Sequence, residues 1–435
     1  MQWPSRFRVR HNRHDTVSAA SQPPQNPDAC AALPDLETLF THTIDAGALP
    51  TAGVSPRPAV YLLAADQKPI LLATTANLKR AIQMRLGAGA DPRKTDYAAI
   101  TTHVRWRYVG SALAASWWYY LAALCLYPAN YRSLLSWRAP WFIRISGAGS
   151  DGIPSIEITN QLDSADAHAF GPFSARSSAR AAADLIIELF DLCRYEEILR
   201  KAPHGQACAY KEMGKCPAPC DGSVPLHRYH DAVAEAAALL RHIGPACGPH
   251  GDAAEIAWYA ASTQEMKRAA VQMEFRQAAK IKHKLEMFSD FLATTPPSWG
   301  PADRWKYVCL ERGKTRRWVE PWIIEPGAVR RLHPVDAKQV MTDVPAFLDG
   351  LWTAPAISQR VPLVDSFALL TYHLNRSRDP GLYLSEGQLS AKAAAADSVA
   401  HWLGSPAQSS VVEMSSDAPM NSAGADTAPP GAQGD

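Results

Sequence analysis

Four cysteines, Cys193, Cys208, Cys216 and Cys220, are the residues whose type and spacing most directly specify chemistry. The last three lie in Gln206-Ala-Cys-Ala-Tyr-Lys-Glu-Met-Gly-Lys-Cys-Pro-Ala-Pro-Cys-Asp-Gly, a Cys-x7-Cys-x3-Cys pattern, and 14 residues separate Cys193 from Cys208. Four thiolates are a full ligand set for either an iron-sulfur cluster or a structural zinc. Pro217 and Pro219 keep the Cys216–Cys220 loop out of a helix, so an extended turn can bring its two thiols to one point. Cys30, Cys125, Cys247 and Cys309 stand apart and read as small core hydrophobes. Three cysteines within 13 residues, interleaved with Pro, Gly and Lys, do not resemble a core segment. Spacing alone leaves zinc and iron both open.

The elements that must position these thiols are legible on both sides. Ser177 to Leu192 is an amphipathic helix, with Ala181, Leu185, Ile186 and Leu189 at helical spacing, and it delivers the chain to Cys193. Trp141–Ile145 and Ile156–Ile158 read as strands around a Gly- and Ser-rich turn at 146–152. Downstream, a helical region spans 225–292, interrupted at Gly244-Pro245 and 248–251. Upstream, apolar runs at 59–65 and 70–75 flank Asp66-Gln-Lys-Pro as a hairpin does, and Asn77–Leu86 follows as a short helix. Beyond Pro296-Pro297, strands at 305–311, 315–324 and 328–332 and helices at 364–374 and 388–403 form a small α+β unit. The expected class is α+β. Its expected segments are a disordered arm at 1–55, a mixed α/β domain at 56–147, the cysteine region at 148–225, a helical region at 226–295, the unit at 296–404 and a disordered tail at 405–435.

With 44 basic against 42 acidic residues, any nucleic-acid surface has to come from local clustering. Eight cysteines in 435 residues are too dilute for a disulfide scaffold, and the N-terminal stretch has no signal-peptide core, so the expected compartment is reducing and cytoplasmic. Val109–Tyr127 carries no charge over 19 residues, but its aromatics sit at the centre rather than the ends. It reads as a buried core helix, not a membrane span.

Phe170-Gly-Pro-Phe-Ser-Ala-Arg-Ser-Ser-Ala-Arg, together with the helix to Cys193 and the Cys-Pro-Ala-Pro-Cys loop, resembles the N-terminal half of UvrC. UvrC-like proteins are incision subunits of nucleotide excision repair. The resemblance implies a cytosolic DNA-repair protein with an iron-sulfur cluster, of 4Fe-4S type, on Cys193, Cys208, Cys216 and Cys220, structural zinc being the alternative. A second block, Glu265 to Leu285, resembles the UVR motif, spanning about 262–289, through which UvrC contacts the UvrB helicase. Met266, Ala270 and Met273 form one apolar stripe of that hairpin, and Phe275, Ala278, Ala279, Ile281 and Leu285 another, with Phe275 at the bend as the anchor.

The first domain resembles the family's GIY-YIG nuclease in degenerate form. Ala59-Val60-Tyr61 keeps the first Tyr, but Leu71-Leu72-Ala73 replaces the second Tyr and the Gly; Thr74 and Ala81 stand where the family has Lys and Arg. That nuclease needs a helix Glu to hold a divalent metal, yet no Asp or Glu occurs from Tyr97 to Ser150. Tyr61 is a remnant. No catalytic Mg²⁺ or Mn²⁺ site and no cleavage are expected from this domain.

In place of catalysis the same stretch offers Arg105, Arg107, Arg132, Arg138 and Arg144 among Trp106, Tyr108, Tyr131, Trp137 and Trp141, with Lys79 and Arg80 nearby, a pattern suited to phosphate contacts and base stacking. Asp303, Asp336, Asp343, Asp349, Asp365 and Asp379 read as scattered solvated acids. The leading expectation is a nuclease-dead UvrC-like protein that binds DNA, a UvrB-like partner, or both. Its rivals are an active endonuclease with a diverged site, and an iron-sulfur redox-responsive DNA-binding regulator.

Overall fold

The computed structural model describes residues 33–48, 53–87, 95–147, 152–162, 168–244, 256–295, 298–313, 315, 317–376 and 381–405. Most of the expected arm and tail, Cys30, Cys247, Asp379 and the interruption at 245–251 lie outside these residues.

Strands β1 (His42–Asp45), β2 (Ala59–Ala65), β3 (Lys68–Thr75) and β4 (His103–Tyr108) form an antiparallel sheet in the order β1-β4-β2-β3. Its centre is the expected hairpin, with Leu62 opposite Leu72 and Tyr61 opposite Ala73. Strand β2 is apolar at every position because both of its faces are covered. Helix α1 (Leu78–Leu86) closes one face over Tyr61, Leu63 and Trp106 and is capped by Asn77, whose Oδ1 accepts from the Arg80 amide at 3.0 Å. The uncharged helix α2 (Ala112–Leu126) closes the other over Val60, Leu62 and Leu72. Part of the segment assigned to a disordered arm is folded: a turn of helix at Leu36–Leu39 buries Leu39 and Phe40 in this core, and β1 pairs with β4, Thr43 opposite Arg105. Four apolar side chains in a Pro- and Ala-rich stretch suffice because β4 presents an edge that β1 completes.

A second antiparallel sheet joins β5 (Trp141–Ser146), β6 (Ser155–Thr159), β7 (Ala169–Phe173) and β8 (Gly300–Pro301) in the order β6-β5-β7-β8. Helix α3 (Arg176–Leu189) packs on it through Ala179, Ala183 and Ile186. Helix α4 (Leu226–Arg241) and the long hairpin α5 (Ala257–Val271) and α6 (Phe275–Thr294) complete this layer. Two expected boundaries move. Strand β5 belongs to the cysteine region rather than to the first domain, and β8, beyond the Pro296-Pro297 break, returns to pair with β7. Both errors share a cause: strand partnership is non-local and leaves no mark in composition. A Cβ on Gly171 would sit 2.7 Å from the Phe142 ring and 2.9 Å from the Trp141 carbonyl oxygen. Gly171→Ala is therefore expected to destabilise this layer by about 1–3 kcal/mol, read as a drop in the denaturation midpoint.

The third sheet, β13 (Ala356–Arg360), β11 (Ala328–Leu332), β10 (Trp318–Glu325), β9 (Tyr307–Arg312) and β14 (Leu382–Ser385) in that order, with β12 (Val335–Asp336) pairing β10, is the expected C-terminal α+β unit. Helix α8 (Lys392–Gly404) and the short helices at Ala337–Thr342 and Val344–Gly350 cover one face over Val308, Leu310 and Ile323. Helix α7 (Leu363–Leu374) lies on the other, over Tyr307, Trp322 and Val329, and shares its core with α2. That shared core explains the sequence of α2: a helix sandwiched between two layers is apolar all round.

Polar contacts cross this interface at His373, 3.1 Å from the Ser116 hydroxyl, and at a buried carboxylate. Asp365, 5% exposed, accepts hydrogen bonds from the Tyr120 hydroxyl at 2.9 Å and the Tyr131 hydroxyl at 2.6 Å, and pairs with Arg132 at 3.0 Å. Its reading as a solvated acid is corrected. The other acids behave as surface groups do: Asp303 pairs with Arg241, Asp336 with Arg317 and Asp349 with Lys392, while Asp343 caps the helix at 344–350.

Candidate cysteine centre and exposed hairpin

Helix α3 ends at Leu189, and Asp191, in the left-handed region at φ 51°, turns the chain toward Cys193. Asp tolerates that conformation better than most residues. A short helix at Glu196–Leu199 leads to the next loop, where Cys208 precedes a turn of helix at Ala209–Glu212. Gly214 at φ 67° and Ala218 at φ 56° then fold the chain back twice, so that Cys216 and Cys220 flank the Pro-Ala-Pro turn, and the Gly205 amide donates to the Cys220 carbonyl at 2.7 Å. Cys216 and Cys220 are buried, whereas Cys193 and Cys208 are half-buried, and all four are free thiols.

The thiols interact in a chain. Cys193 Sγ donates to the Tyr195 carbonyl at 3.4 Å, and the neighbouring Cys193 thiol draws the Cys216 thiol down to about 6. Cys220 is pushed up by burial first, then by Asp221 and Cys216, and it also feels Cys208. Tyr229 on α4 is hydrogen-bonded to the Cys193 backbone and closes the site from behind. Among the described residues no group of three or more His, Cys, Asp or Glu side chains is arranged to hold a metal ion. The chemistry of the donors suits a soft metal: four free thiols on adjoining loops, with the Cys216 thiol drawn down toward thiolate.

The hairpin stands beside this centre. Helices α5 and α6 meet at a tight turn in which Met273, at φ 61°, takes the left-handed conformation and the Glu274 amide donates to the Ala269 carbonyl at 2.9 Å. Ala269, Ala278 and Leu285 are buried, and Met266 is half-buried. Val271, Met273 and Phe275 are 82%, 76% and 67% exposed. The expected stripes therefore split: Met266, Ala278 and Leu285 face inward, while Ala270, Met273, Phe275 and Ala279 face outward. Ala269 and Val271 were missed because a stripe counted along one helix does not register the phase change at the turn.

Along the first half of α6 the hairpin is tied to the cysteine loops. Lys284 Nζ donates to Asp191 Oδ2 at 3.0 Å and to the Leu189 carbonyl at 2.6 Å; Lys280 Nζ donates to Asp191 Oδ2 at 2.9 Å and to the Gly214 carbonyl at 3.2 Å. Glu188, one turn earlier, pairs with Arg194 and with Lys215, the latter at 3.0 Å. Sequence reading passed over these residues, although Lys280 and Lys284 carry the i, i+4 signal of one helix face.

Tyr61 is 2% exposed, and its hydroxyl accepts from Arg85 Nε at 2.9 Å. The expected basic, aromatic face is corrected. Trp106, Tyr131 and Trp137 are buried in the core. Arg107 donates to the Thr38 and Leu39 carbonyls and stacks on Trp118 at 3.9 Å, and Arg132 is bound to Asp365. Aromatic rings that fill a core cannot stack bases. Arg80 and Arg138 are exposed, and Lys79 and Arg105 half-exposed. No helix among the described residues is long and apolar enough to cross a membrane.

Residues 141–239 match the model of the UvrC/Cho excinuclease middle domain, from β5 through the cysteine loops into α4. UvrABC system protein C of Desulforudis audaxviator is 27% identical over 190 residues, covering 43% of this chain and 28% of the relative. The protein of the same name from Haloquadratum walsbyi is 30% identical over 141 residues, 32% of this chain and 22% of its own, and that from Methanothermobacter thermautotrophicus 25% over 188 residues, 43% and 28%. The chain thus spans less than a third of the length of these relatives. No solved structure matches it. Over residues 141–239, which hold β5, β6, β7, the helix onto Cys193 and the cysteine loops, the chain is similar to the UvrC/Cho excinuclease middle domain.

Proposed function

We propose that this protein serves nucleotide excision repair through recognition and assembly rather than cleavage. Its hairpin binds a UvrB-type helicase, its middle domain carries a metal centre that orders the cysteine loops, and its first domain is a nuclease fold retained as scaffold. The observation that carries this reading is the conjunction of a UvrC-like middle domain with an adjoining hairpin whose tip exposes three large apolar side chains. Solvent-exposed Met and Phe at a rigid turn are what a protein-binding anchor requires. Titration of the purified chain with a UvrB-type helicase, followed calorimetrically, is expected to give saturable binding; a flat titration contradicts the reading.

Cys193, Cys208, Cys216 and Cys220 would hold the metal centre, an iron-sulfur cluster rather than zinc on the family resemblance. Bound there, it would cross-link loops that have little apolar core of their own. Anaerobic purification is expected to yield iron with acid-labile sulfide, and Cys216→Ser to remove both; zinc in stoichiometric amount would replace the cluster in this account. For DNA the available contacts are Lys79, Arg80, Arg105 and Arg138. Arg80→Ala with Arg138→Ala is expected to weaken duplex binding and to lower the slope of log affinity against log salt by about one per lost phosphate contact, measured by fluorescence anisotropy.

A further inference from the structure

We propose that Asp191, Lys280 and Lys284 form a latch that makes the position of the hairpin depend on the order of the cysteine loops. The inference rests on the reading of that hairpin as a partner surface, and it supplies the regulation of that surface.

Asp191 lies two residues before Cys193 and Gly214 two residues before Cys216, both in left-handed conformations that leave the adjoining backbone little freedom to adjust. Lys280 donates to both loops at once, to the Asp191 carboxylate at 2.9 Å and the Gly214 carbonyl at 3.2 Å. Lys284, one turn further along α6, repeats the contact to Asp191 and adds the Leu189 carbonyl. Two ammonium groups on one face of α6 therefore converge on a single carboxylate whose backbone is continuous with a cysteine ligand. The apolar anchorage of this half of α6 is slight: only Ala278 and Leu285 are buried between Phe275 and Leu285. Charge-assisted hydrogen bonds, more than core packing, thus fix the half of α6 nearer the turn, and Lys280 stands within two turns of Phe275. When the cysteine loops are held together, Asp191 and the Gly214 carbonyl are held in place and the latch is closed. When they loosen, both acceptors move and α6 loses its tether. Coupling of this kind is reciprocal, so freeing the lysines also loosens the loops.

Hydrogen exchange on the full chain reads the latch without any partner. In Cys216→Ser, amides of 278–285 are expected to exchange about tenfold faster while those of β9 and β10 stay unchanged. In a Lys280→Met, Lys284→Met background the same cysteine substitution is expected to add nothing further at 278–285. The reverse arm is alkylation by iodoacetamide: Lys280→Met with Lys284→Met, and Asp191→Asn alone, should each raise the modification rate of Cys193 and Cys208. If Cys216→Ser also exposes β9 and β10, the chain has unfolded globally and the alkylation arm decides. Unchanged exchange at 278–285 in a folded Cys216→Ser protein, additive effects in the lysine background, or unchanged alkylation in the latch variants overturns the proposal. Failure of helicase binding in a protein that shows these couplings would count against the partner reading and leave the latch standing.

Discussion

Phe275→Ala lowers the affinity of the chain for a UvrB-type helicase by about 30-fold or more, because truncating a buried interface anchor costs ~2–4 kcal/mol. The free protein hardly notices: a side chain 67% exposed at a helix start contributes little to its own fold, and stability should change by less than about 0.5 kcal/mol. This combination separates an interface residue from a core one. Phe288, on the same helix and fully buried against Trp258 at 5.1 Å between ring centroids, gives the opposite result, with Phe288→Ala costing ~3–5 kcal/mol of stability. Calorimetric titration and chemical denaturation of the two variants make the comparison.

Asp365→Ala is the polar substitution expected to damage the fold most. It strands the Arg132 guanidinium and leaves two tyrosine hydroxyls, those of Tyr120 and Tyr131, without their acceptor. With Arg132 38% exposed the stranded charge is partly solvated, so the cost, about 2–4 kcal/mol, falls mainly on the two unsatisfied hydroxyls. Asp365→Asn retains an acceptor for the tyrosines and should lose less. Because Asp365 belongs to the C-terminal unit and its partners to the first domain, denaturation of Asp365→Ala followed by tryptophan fluorescence should show both units loosening together. Separate transitions, with the first domain unaffected, would show that the contact does not join them.

What the sequence disclosed and what it withheld divide along the range of the interactions involved. The hairpin of β2 and β3 and the helix leading to Cys193 are local patterns of period or punctuation, and they stand within a few residues of where spacing puts them; the bend between α5 and α6 is carried by the resemblance to the UVR motif instead. The α+β class follows from the same patterns. Non-local partnerships were not legible. The turn after Trp141–Ser146 signals its pairing with β6, but nothing announces that it also pairs with β7, nor does Gly300-Pro301 announce its place beside Phe170 and Gly171. Asp365 carries no mark that distinguishes it from Asp349, and only the tyrosines brought to it from the other domain do so.

The candidate sites follow the same division. Arg107 and Arg132 looked available beside aromatic residues, but aromatics at alternate strand positions and on a buried helix are a core, and the arginines at its rim are spent on carbonyls and on Asp365. In the sequence alone, the absence of acids from 97–150 points to the loss of a catalytic role. The structure adds a positive cause: α2 is covered on both sides, and a carboxylate there would be buried.

The claim that this UvrC-like chain assembles rather than cuts is tested most directly by incubating the purified protein with supercoiled plasmid and Mn²⁺ or Mg²⁺, with a Tyr61→Phe variant alongside. The account predicts no nicking by either protein, with Tyr61 buried against Arg85 and no acid available on α2. Metal-dependent nicking by the wild-type protein that disappears in Tyr61→Phe would contradict it.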